Sequence, residues 1–274
     1  MTVQLCPDCG TSDCPSLLTR HTLSRRSLLR AAGVGAFGAA TVFVLAACTG
    51  TKGSDSAGAA GAAKPGTGVA TMAIFGSIGP CLMPNLTNNG NARAVTQCFG
   101  SSLLAYDDKM NFVPSLATKY TVSADGTQYT FTLRQGVKWS DGKPFTADDI
   151  EAAITAMTDP QTTTNWITYV SPIAGTLDRK AGKSTPIGYK KVDDTTFTVT
   201  LSAPNASFLD LFGTQFQPLP AHVVSTIAPT ELNTGKFAQA PSVTIGPFYM
   251  TSRSGDDDME MARNTYFWGG TVQL

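Results

Sequence analysis

Between Arg30 and Cys48 the chain runs for 17 residues, 31–47, without a single charge. That run separates an address from a folding domain, because a stretch of this length sits at the lower limit for crossing a hydrocarbon core of roughly 30 Å. Before it stands Ser24-Arg25-Arg26-Ser27-Leu28-Leu29-Arg30, a twin-arginine pattern, and Leu45-Ala46-Ala47-Cys48 closes it. Small side chains before a cysteine form a lipobox: they admit the signal peptidase, and the Cys48 thiol takes a diacylglycerol before cleavage makes it the new N-terminus. Residues 1–48 therefore read as a twin-arginine lipoprotein signal peptide, with a retained membrane span as the alternative. Residues 49–68, rich in Gly, Ala, Ser and Thr, read as a flexible linker holding the domain clear of the membrane. One lipid chain binds only marginally, whereas the several chains of a bacterial lipoprotein anchor firmly. Twin-arginine export often goes with a cofactor inserted before translocation, yet the chain holds no cofactor motif and none is expected.

Charge narrows the partners. Twenty Lys and Arg balance twenty Asp and Glu, and no basic stripe points to nucleic acid, so the partner is a small molecule or a protein. With 42% hydrophobic residues, the chain can bury a proper core. The six cysteines need separate accounts. Cys6, Cys9 and Cys14 look like part of a zinc ribbon, but they lack a fourth ligand at suitable spacing and precede the export signal, so no metal is expected there. Cys81 and Cys98 remain in the mature domain. As an isolated pair in an oxidising compartment they are candidates for a disulfide worth about 3 kcal/mol, two free buried thiols being the alternative.

From Gly68 onward, strand-like segments alternate with turn chemistry. Residues 69–75 form a candidate first strand ending at Gly76. Residues 127–133 alternate polar with apolar behind the turn pair Asp125-Gly126, and residues 195–201 do so behind Asp193-Asp194; both predict half-buried antiparallel strands. Thr146 followed by Asp148 and Asp149 offers a helix start before the run 150–157, which Asp159-Pro160 closes. The mixture predicts an α/β architecture without internal repeats.

Three stretches form one block: Leu116-Ala117-Thr118-Lys119-Tyr120, then residues 123–134, then Gly136-Val137-Lys138-Trp139-Ser140-Asp141-Gly142-Lys143-Pro144-Phe145-Thr146-Ala147-Asp148-Asp149. The block resembles the signature of family 5 solute-binding proteins, the oligopeptide, dipeptide and nickel type. Ser202-Ala203-Pro204, Pro220-Ala221-His222, Thr244-Ile245-Gly246-Pro247-Phe248 and Arg263-Asn264 extend it across residues 72–270. The resemblance implies a two-lobed, periplasmic-binding-protein-like receptor fold. Its parts would be a first segment of lobe I at 69–105, an inserted small domain at 106–190 and a second segment of lobe I at 191–274, with truncation before the second large lobe. It further implies a lipid-anchored receptor on the outer face of a bacterial cell membrane, which captures peptides or similar solutes and hands them to the permease subunits of an ABC importer.

Within the block, Tyr129, Phe131, Trp139 and Phe145 are expected in the core rather than on a ligand. The resemblance places Asn88, Asn89 and Gly90 beside the ligand, where amide side chains and a bare glycine suit a peptide backbone; an ordinary Asn-Asn-Gly turn is the alternative. It also places Trp166 near the cleft, and Gln215 more weakly, with a structural role as the alternative for Trp166. His222, the one histidine of the mature chain, reads as structural, and Asp256-Asp257-Asp258 as a solvated loop rather than a calcium site. Two other functions compete: a lipid-anchored hydrolase using His222 as base, against which stands the lack of a Gly-x-Ser-x-Gly elbow, and a sensing receptor on the same fold.

Overall fold

The computed structural model describes residues 76–255 and 258–272. The expected signal peptide with Cys48, the expected linker and the expected strand at 69–75 lie outside the described residues. In chain order the elements are α1 (Gly90–Thr96), β1 (Leu104–Tyr106), β2 (Phe112–Pro114), β3 (Ala117–Val122), β4 (Gln128–Leu133) and α2 (Ala147–Thr158). There follow α3 (Thr176–Lys180), β5 (Tyr189–Lys191), β6 (Thr196–Thr200), α4 (Ala221–Val224), α5 (Lys236–Gln239), β7 (Phe248–Ser254) and β8 (Asp258–Arg263). A 3₁₀ turn at Ile167–Tyr169 and a π-helical turn at Leu209–Gly213 stand between them.

The alternation at 127–133 becomes β4, which buries Tyr129, Phe131 and Leu133 and turns Gln128, Thr130 and Thr132 to the other face. Sheet order is β3-β4-β6-β5, every pairing antiparallel, and β4 and β6 set Phe131 opposite Phe197 and Tyr129 opposite Val199. Those cross-strand pairs make an apolar sheet face. Onto it packs an aromatic column from the π-helical turn: Phe212 lies 5.8 Å from Phe131, 4.9 Å from Phe208 and 4.7 Å from Phe216, centroid to centroid. The Asp125-Gly126 turn does what its chemistry requires, with Gly126 at a φ of 70°, a left-handed conformation costly for other residues.

The domain boundary expected at 190/191 meets this sheet. It falls inside β5, and β6 on its far side is a central strand bonded to both β4 and β5. The four-stranded sheet therefore runs on to Thr200, because its two central strands cannot be parted without breaking their ladder.

Helix α2 buries Ile150, Ala153, Ile154 and Met157, a spacing of three and four residues that makes one apolar stripe. Asp149, only 2% exposed, reaches back from the third helical position to accept the Thr146 N–H at 2.8 Å. The same carboxylate accepts the Trp139 indole N–H at 3.1 Å and the Ala221 amide at 2.7 Å. It thus ties α2 to the preceding loop and to α4. Burial pushes the Asp149 carboxyl up, and those three donors oppose the rise. Tyr129, Phe131, Trp139 and Phe145 are all buried, the core role expected of them.

The second segment closes the fold by close approach. Gly246 donates its amide to the Phe99 carbonyl at 2.6 Å, and a Cβ there would lie 2.4 Å from the Phe99 carbonyl carbon. Only glycine lets the Thr244–Phe248 stretch rest against the end of α1. The candidate disulfide is not formed: Cys81 and Cys98 are both free thiols. Cys81 belongs to the main core, while Cys98 packs against a smaller cluster around Leu82, Val95 and Phe99, and burial pushes both thiols up.

Candidate functional site

The loop leading into α1 is anchored by Asn85, 2% exposed and at a φ of 66°, a conformation that asparagine tolerates better than most residues. Its side-chain amide makes a closed pair with the Gln217 backbone, donating to the carbonyl at 2.6 Å and accepting the N–H at 3.2 Å. That pair fixes residues 85–90 against the segment that follows the π-helical turn.

A second segment, 162–169, then clamps the same loop. Thr164 Oγ1 donates to the Asn85 carbonyl, and the Trp166 indole donates to the Thr87 carbonyl at 2.7 Å. Asn88 Nδ2 donates to Thr163 Oγ1 and Asn165 Nδ2 to the Asn88 carbonyl, each at 3.1 Å. Asn233 ties both strips together, donating to the carbonyls of Leu86 at 3.1 Å and Thr163 at 2.8 Å. The result is a ridge of amides and hydroxyls with Asn88, Gly90, Thr163 and Asn165 exposed along it. Its shape is set by hydrogen bonds between residues some 75 positions apart in sequence.

The expected site residues divide. Asn88, Trp166 and Gln215 are brought together. The Asn89 side chain is committed to the backbone: its Oδ1 caps α1 by accepting the amides of Asn91 at 2.8 Å and Ala92 at 3.2 Å, while its Nδ2 donates to the Ser77 carbonyl. Gly90 is the first residue of α1, and a Cβ there would meet nothing within 4 Å, so the space beside it is open. The turn alternative for Asn-Asn-Gly is thereby refined into a helix start.

Sequence reasoning missed Arg93, which joins the set. Its guanidinium carbon lies 4.7 Å from the Trp166 ring centroid and 5.4 Å from that of Tyr169, whose rings stack on each other at 5.8 Å. Its Nη2 donates to Gln215 Oε1 at 2.7 Å. Gln215 is held at that height because Phe212 and Phe216 on either side are buried in the aromatic column. Burial pushes the Tyr169 phenol up, with the Arg93 charge opposing. Once Asn89 is read as a helix cap, Arg93 follows one turn later on the same face as the cap, a placement available from sequence.

His222 lies elsewhere. Its Nε2 is 2.8 Å from Asp141 Oδ2 and its ring packs edge-on to Trp139, and among the described residues no serine hydroxyl bonds to it. Among the described residues no group of three His, Cys, Asp or Glu is arranged to hold a metal.

Residues 111–274 match the family model described as the middle region of bacterial extracellular solute-binding proteins, family 5. The chain belongs to that family. The dipeptide-binding protein DppE of Bacillus subtilis is 32% identical over 165 residues, covering 59% of this chain and 30% of the relative. The oligopeptide-binding protein OppA of the same organism is 30% identical over 191 residues, covering 68% and 34%. Among solved structures, Listeria monocytogenes OppA bound to peptide superposes with a TM-score of 0.62 at 29% identity, over 70% of this chain and 38% of that one. The chain thus spans about a third of the length of these relatives, the two from Bacillus subtilis by name binding proteins, and its fold is the α/β fold of that class.

Proposed function

We propose that this chain is the ligand-facing first part of a lipid-anchored receptor that captures peptides outside the cell and delivers them to an ABC importer. The observation that carries the reading is the clamped polar ridge at residues 85–90 and 163–166. Its exposed amides and hydroxyls sit beside a half-buried indole and offer donors and acceptors at fixed positions, which suits a ligand read mainly through its backbone. The named functions of the relatives, dipeptide and oligopeptide binding, support the same class of solute. Catalysis by His222 gains no support from its geometry, since its ring faces Asp141 without a hydroxyl to activate.

The test is calorimetric titration of the natural protein with a set of di- to pentapeptides, repeated with Trp166→Ala. Binding in the micromolar range or tighter, weakened about tenfold by Trp166→Ala with the melting transition retained, is the expected result. Unchanged affinity in the variant returns Trp166 to the scaffold, and no binding by the wild type sinks the peptide reading.

A further inference from the structure

Peptide capture leaves open which peptides are preferred, and Arg93 bears on that choice. Its positive charge is balanced by no carboxylate: its polar partner is the neutral amide of Gln215, and no Asp or Glu pairs with it among the described residues. Nε and Nη1 carry no hydrogen bond to the described residues, and neither is sealed from solvent. The guanidinium plane is nevertheless held in place by the Trp166 and Tyr169 rings and by Gln215.

A cation held by ring faces instead of by an acid keeps its charge and part of its donor set for an incoming group. Guanidinium donors match the two oxygens of a carboxylate, and an arginine already restrained by stacking loses less freedom when it binds. The adjoining ridge presents only neutral amides and hydroxyls, so Arg93 is the group there that distinguishes an anion from its neutral isostere. We propose that Arg93 is a specificity-determining residue that gives this receptor a preference for peptides placing a carboxylate beside Trp166, from either an acidic side chain or a free C-terminus. The inference rests on the peptide reading of the same ridge.

Calorimetry with the natural protein tests it, using Ala-Glu-Ala and Ala-Gln-Ala, each with a free and with an amidated C-terminus. If the side chain is the source, wild type binds Ala-Glu-Ala about tenfold more tightly than Ala-Gln-Ala, the size of one charge-assisted hydrogen bond. If the C-terminus is the source, amidation costs about the same factor. In either case Arg93→Gln brings the ratio to about one, whereas Arg93→Lys, which keeps the charge, retains part of the preference. A merely structural arginine would show no such split between the two variants. Equal affinities of wild type for all four peptides, or a preference that survives Arg93→Gln, overturns the assignment and leaves the peptide reading standing. Failure of all four to bind removes both.

Discussion

Three donors converge on the Asp125 carboxylate in the turn between β3 and β4: the Ser123 hydroxyl, the Thr127 hydroxyl at 2.8 Å and the Thr127 amide at 3.1 Å. They favour the ionised form and hold its pKa down to about 2, the Ser123 hydroxyl contributing most. A depressed carboxyl contributes stability above the ordinary carboxylate range, and that contribution is lost as pH falls through about 2. Ser123→Ala should lift the Asp125 pKa toward 3.8, so that the turn weakens at higher pH; a carbon-detected NMR titration of the side chain reads this directly. A pKa left at about 2 in the variant would assign the shift to the Thr127 donors. Residues of this kind were legible from sequence because the whole device lies within five positions. The stacking of Arg93 was not, because nothing local in Ala92-Arg93-Ala94 tells that an indole 73 positions away will lie under it, even though the Asn89 cap fixes its face of α1. The cap at Asn89 was hidden for a related reason: Asn-Asn-Gly fits both a turn and a helix cap, and the choice belongs to the packing of α1.

Strands β4 and β6 and helix α2 were readable because each carries its own period and its own boundary chemistry. The order of the sheet was not, since a strand at 196–200 gives no local sign that its partner is at 128–132. The aromatic column was equally hidden. Phe208, Phe212 and Phe216 recur at a helical spacing, yet the segment forms one π-helical turn with its neighbours in irregular structure. That column carries the sheet and positions Gln215, so its loss should be felt at both. Phe212→Ala removes a fully buried ring that touches Phe131, Phe208 and Phe216, and should cost about 3–5 kcal/mol, roughly a 10 °C fall in melting temperature. Leu177→Ala, at a side chain 57% exposed, should stay within about 0.5 kcal/mol. Thermal melts of the two variants side by side provide the check, and comparable losses would mean that the column is not what holds the sheet.

At the scale of the whole molecule the ridge is one-sided. Sites that bind small solutes well bury most of the ligand surface, whereas the ridge residues Asn88, Gly90 and Thr163 stand exposed, so tight capture needs a second surface opposite them. Relatives about twice as long have chain enough to supply one. In the proposed importer reading, capture at a cell surface also requires that the receptor stay close to its transporter. In the lipoprotein reading the anchor is covalent and depends on one sulfur. Cys48→Ser should therefore shift the protein from the membrane to the soluble fraction while leaving its melting temperature and peptide affinity unchanged, because the substitution lies outside the domain that binds. Fractionation of cells expressing the two forms separates the readings. Release with unaltered binding supports lipid attachment at Cys48, whereas continued tight association of Cys48→Ser means that the uncharged run at 31–47 remains in the membrane as a span.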